Sequence, residues 1–202
     1  IMGDAYRLHG FQNFLTNIAL EPELMKALID KLTSVYFDLN QAVFETLKGK
    51  MDIWFFGNDF GGQNGLLMSL DMWSYFYKDN MKKLTDLAHS YGLKVMMHSC
   101  GGVAQLIPNL IETGVDILDP IQVSAVGMDP VDLAEQFGGK IIFHGGMDTQ
   151  QVLPFGSIDE VRILTKKIEK SLGKTGGYIL SGSQLLGPDI PIENILAMYG
   201  VD

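Results

Sequence analysis

Two hydrophobic periods alternate along this chain. Short, nearly continuous apolar runs rich in β-formers occupy residues 52–57, 93–98, 115–118, 140–145 and 178–181, the pattern of strands buried on both faces. Between them the apolar positions repeat at helical spacing, as in Met72, Tyr75, Phe76, Leu84, Leu87 and Ala88, and again in Val161, Leu164, Ile168 and Leu172. Helix starts are predicted at Ser69, at Asp129-Pro130 and at Ser157, where Glu160 three residues on completes a capping-box spacing. Gly92, Gly114, Gly138 and Gly173 mark stops. The first 50 residues differ: the pattern there predicts a helix around 10–19, a long one over about 22–47, and no strand.

Strands alternating with helices through short connections indicate an α/β protein with a parallel sheet covered by helices. Residues 1–202 read as a single domain with residues 1–50 as a mainly helical lead-in, free of internal repeats and linkers. An eight-stranded barrel takes about 250 residues. Five strands therefore point to the C-terminal part of a parallel (β/α)8 TIM-type barrel, with the remaining strands preceding Ile1. A doubly wound open sheet is the alternative, but no Gly-x-Gly-x-x-Gly follows any strand. An incomplete barrel leaves apolar interior and sheet edges uncovered, so association with the missing segment, a second copy or a partner subunit is expected.

Charge narrows the ligand. A net charge of −9 repels nucleic acid and anionic membranes, so a small-molecule substrate is expected. No apolar run has the length to span a bilayer, and one cysteine, Cys100, excludes an intrachain disulfide; both fit a soluble, cytoplasmic protein.

The residues with chemical potential gather just after the strands: Asn58-Asp59 and Gln63 after the first, His98-Ser99-Cys100 after the second, Asp119 and Gln122 after the third, Asp148 after the fourth and Gln184 after the fifth. In a parallel barrel these ends share one mouth, where active sites form. On an extended strand end, residues two apart point the same way, so His98 and Cys100 could hold one zinc ion. Two ligands do not make a site, and the pair also reads as a hydrogen-bonded histidine beside a small buried thiol. Asp59 and Asp148 each offer an acid, base or metal ligand, or in the case of Asp148 a cap for the turn that follows. His144, inside a strand, reads as a core histidine, and His9 and His89 as surface residues on helices.

Four stretches resemble the uroporphyrinogen decarboxylase superfamily, which includes zinc-dependent, corrinoid-linked methyltransferases. They are His98-Ser99-Cys100-Gly101-Gly102, Asp116 to Gln122, Gly145-Gly146-Met147-Asp148-Thr149, and Pro188-Asp189-Ile190-Pro191 with Glu193-Asn194-Ile195. The resemblance places Tyr6 at a substrate-site tyrosine of the true decarboxylases and Asp59 where they carry a serine. It also implies that their arginine-rich substrate-binding segment precedes Ile1. The histidine-x-cysteine pair, absent from the true decarboxylases, matches the methyltransferase branch, which adds a distant cysteine to hold zinc. That distant position is Gln184 here, and many relatives have histidine. Three expectations follow: zinc-assisted methyl transfer with a corrinoid protein as partner, a porphyrinogen-type decarboxylase (a lyase), or a weakened binding protein on the same fold. Asp59, Tyr6 and Gln184 would be catalytic, Gln63, Asp119, Gln122 and Asp148 would bind substrate, and His98 and Cys100 would bind metal.

Overall fold

The computed structural model describes residues 1–201. Its strands are β1 (Ile53–Gly57), β2 (Gly61–Gly62), β3 (Gly65–Leu66), β4 (Lys94–His98), β5 (Ile117–Ile121), β6 (Ile142–Met147) and β7 (Tyr178–Gly182). A five-stranded sheet runs in the order β1-β4-β5-β6-β7, and β2 and β3 form a small separate antiparallel ribbon. The pairs β1/β4, β5/β6 and β6/β7 are parallel. Helices separate the sheet strands in sequence, the alternation that the hydrophobic periods predict.

The chain divides into two compact units. The first comprises Ile1–Asp59, Leu67–His98 and Pro108–Asp116. It opens with the helices Met2–His9, Phe11–Leu20 and Pro22–Thr46. The first of these was not evident in the sequence pattern, which spans barely two turns there. Trp54 of β1 packs edge-on against Phe44 of the long helix at 5.8 Å and donates from its indole N–H to Asn40 Oδ1 at 3.1 Å. Ser69 caps the next helix as predicted, accepting from Met72 N at 3.2 Å. That helix passes through a π turn at Ser74–Lys78 before continuing as Asp79–Ser90. The wider turn rotates the buried stripe. Trp73, Phe76 and Tyr77 are buried, whereas Tyr75, expected on the apolar face, is exposed and donates to Glu23 Oε1.

The second unit comprises Phe60–Leu66, Ser99–Ile107 and Ile117–Asp202. Asp129 caps the Pro130–Phe137 helix by accepting from Val131 N and Asp132 N. The Ser157–Glu160 capping box starts the Ile158–Leu172 helix, whose Val161, Ile168 and Leu172 are buried. Strand β5 runs past the stop expected at Leu118 and includes Asp119 and Pro120. Its register against β6 shifts between Leu118 and Ile121. Such an irregularity absorbs a proline that has no N–H to give the ladder. It also sets Asp119 inside the strand and not after it.

Candidate metal centre

The histidine-x-cysteine stretch sits where β4 ends. His98 is the last residue of β4, and Asp59 follows β1, the strand whose Gly57 is in register with His98. The backbone locks this end: Asn58 N donates to His98 O at 2.9 Å. Asp59 Oδ1 then lies 3.5 Å from His98 Nε2. One ligand atom each from Asp59, His98 and Cys100 lies within 4.8 Å of the others. Zinc held at about 2.0–2.3 Å by a tetrahedral set separates its ligand atoms by about 3.3–3.8 Å. The Asp59–His98 separation falls in that range, and carboxylate oxygen, imidazole nitrogen and cysteine sulfur are ligand types that zinc takes.

Several contacts hold the Cys100 loop in the second unit. Gln122, almost fully buried, accepts from Gly101 N through Oε1 at 2.9 Å. Ser99 N donates to Asp119 O at 2.7 Å, and buried Ser99 accepts from Phe60 N through Oγ at 3.0 Å. Gly102 N donates to Gly62 O of the ribbon at 2.9 Å. This close approach needs glycine: a Cβ on Gly61 would lie 2.5 Å from Cys100 O, and Gly101 has φ +86° and would place a Cβ 2.6 Å from the Gly61 carbonyl carbon. Gln184, two residues beyond β7, donates from Nε2 to Cys100 Sγ at 2.6 Å. It thus reaches the thiol from the end of the last sheet strand.

The other candidates fall in distinct places. Asp148 directly follows β6, and its Oδ1 accepts from Gln150 N at 2.7 Å and Gln151 N at 3.1 Å, so the carboxylate holds the turn into the Val152–Phe155 helix. Gln63 is exposed on the turn of the small ribbon, with its carbonyl bonded to Val126 N. Tyr6 lies in the Met2–His9 helix and, with Arg7, Tyr36, Asn58 and Asp59, lines a cavity of about 450 Å³ in the first unit. Buried Asn58 fastens that helix by accepting from Met2 N at 2.9 Å. Three residues named in the sequence have roles that it does not reveal. Asn58 and Ser99 act as backbone clasps, which no motif announces. His144 was read as a core residue; it is half-buried and contacts Asp119.

A parallel β/α sheet with polar residues at its strand ends defines a partial (β/α)8 protein. The sequence matches the uroporphyrinogen decarboxylase (URO-D) family over residues 4–201, and the chain belongs to that family. The fold is similar to that of a solved structure of a methyltransferase from Methanosarcina mazei, with a TM-score of 0.76 at 20% identity. The likeness covers 97% of this chain and 54% of that one, so the chain spans about half the length of that protein. No curated protein matches the sequence. No helix among the described residues is long and apolar enough to cross a membrane.

Proposed function

We propose that this chain takes part in metal-assisted methyl transfer between a small methylated substrate or thiol acceptor and a corrinoid carried by a partner protein. The observation that carries the reading is the convergence of Asp59, His98 and Cys100, a donor set suited to zinc. Membership of the URO-D family and the methyltransferase fold likeness support it. Bound there, zinc would act as a Lewis acid that lowers the acceptor's pKa. Asp59 takes the place of a third soft ligand, Gln122 and Ser99 hold the loop that presents Cys100, and Gln184 orients its sulfur. Gln63 on the small ribbon, Asp119 within β5 and Asp148 after β6 would be the substrate-binding residues.

Elemental analysis together with chelator competition tests the reading. The expected result is about one zinc per chain, lost in Cys100→Ser, and bound about tenfold or more tightly in Gln184→Cys or Gln184→His, because either supplies a stronger ligand than a neutral amide. A wild-type chain that retains no zinc and three variants that behave like it would sink the proposal. One observation favours a second reading, a porphyrinogen-type decarboxylase: Tyr6 and Asp59 line the same cavity. Such an enzyme would keep its activity after metal removal, whereas the methyl-transfer reading requires that activity be lost.

A further inference from the structure

The bond from Gln184 Nε2 to Cys100 Sγ, 2.6 Å long, lies wholly within the second unit, and backbone fixes both of its ends. On the Cys100 side, Gln122 Oε1 accepts from Gly101 N, and Gly61 packs so closely that a Cβ there would lie 2.5 Å from Cys100 O. On the Gln184 side, Ser183 is buried, donates from N to Met147 O at 2.6 Å and accepts from Thr149 N through Oγ at 3.4 Å. Gly182 lets this turn close, because a Cβ on it would lie 2.8 Å from Thr149 Cγ2 and 2.9 Å from Gln184 O. Two anchored loops thus hold the amide against the sulfur, although Gln184 itself is exposed.

Which end of the amide faces the sulfur decides its effect. A metal-bound thiolate has no proton to give, so an amide beside it must present N–H and not its oxygen. Such a bond draws electron density from the ligand atom, and partners of this kind tune a metal's ligands. A sulfur made less basic is also a weaker nucleophile.

A site that handles methyl groups is exposed to a side reaction. If Cys100 attacks a methyl donor, an S–CH3 bond forms, the donor's bond to that carbon breaks, and its electron pair departs with the leaving group. The product is a neutral thioether, which no longer offers the metal a thiolate. We propose that Gln184 is a specificity-determining residue whose N–H holds down the nucleophilicity of Cys100, so that the methyl group passes to the incoming acceptor and not to the protein's own ligand. The proposal rests on the methyl-transfer reading above. Gln184 acts through Cys100, as a positioning residue and not as a ligand.

Methyl iodide applied to the zinc-loaded chain supplies an electrophilic methyl group, and peptide mass spectrometry reads S-methylation at Cys100, the chain's single cysteine. Gln184→Met keeps the length of the side chain but removes the N–H, and it is expected to methylate about tenfold faster than wild type. Gln184→Glu also lacks the N–H and should do the same, which keeps the test open if Gln184→Met fails to fold. Rates equal to wild type in both variants would overturn the role, as would a gain confined to Gln184→Ala, which would show that the side chain shields the sulfur by bulk alone. Zinc content, measured before the reaction, separates the two readings. A wild-type chain that takes up no zinc sinks the methyl-transfer reading and this role with it, whereas zinc-loaded chains that methylate equally overturn this role alone.

Discussion

Asp116 accepts three hydrogen bonds at once: Lys94 Nζ at 2.8 Å on Oδ1, and Val95 N at 2.9 Å and His89 Nε2 at 2.8 Å on Oδ2. Burial pushes its carboxyl up, but the bonds from Lys94, Val95 and His89 outweigh that and hold it below the ordinary carboxylate value. A carboxyl depressed in the folded state binds fewer protons there than in the unfolded chain. Its stabilisation is complete above the unfolded pKa and is lost as pH falls through the folded one. Asp116→Asn is therefore expected to cost about 1–2 kcal/mol at neutral pH and progressively less in acid, as urea unfolding across a pH series would register. A penalty independent of pH would show that packing, and not charge, sets the cost. His89 was legible as an exposed helical residue, but its partner lies 27 positions away and no local pattern predicts the pairing.

At the scale of elements, local signals and tertiary demands separate clearly. The Ser157–Glu160 capping box is a four-residue pattern, and both of its reciprocal bonds form, Ser157 N to Glu160 Oε2 at 2.7 Å and Glu160 N to Ser157 Oγ at 3.3 Å. Ser157→Ala is expected to lower stability by about 1 kcal/mol in denaturant titration. Gly61 makes a different kind of demand, because its neighbour in space is the Cys100 carbonyl. Gly61→Ala should push the Cys100 loop away and weaken zinc binding by about tenfold or more, with far-ultraviolet circular dichroism unchanged. Unaltered zinc affinity would mean that the loop yields without moving its ligand. Strand β5 shows the limit of element-level reading: its apolar run stops at Leu118, yet the strand continues through a register shift against β6 to Ile121.

For the molecule as a whole, β1 and β7 stand at the two ends of the sheet order, and Ile53 and Phe55 on β1 are 43% and 56% exposed. A strand edge with apolar side chains beside it is a template for pairing. We expect the 202-residue chain to self-associate or to bind a complementary segment, which sedimentation across a concentration series would detect as a rising average mass. A monomer at every concentration would show that this edge is tolerated in water.

What the sequence by itself determined is what short-range physics encodes. Buried parallel strands read as apolar runs, helix starts read from Ser69, Asp129 and Ser157, and the chemistry-bearing residues read as a set that follows the strands. The histidine-x-cysteine pair was visible because two residues on one extended end share a side. Tertiary structure alone decided which distant groups joined them. Asp59 reached His98 because β1 pairs with β4 in register, Gln184 reached Cys100 across 84 positions, and Asp119 met His144 because β5 and β6 lie side by side. Hydrophobic periodicity specifies which face of a strand is buried, but it is silent on which strand becomes its neighbour, and polar partners are chosen at that step.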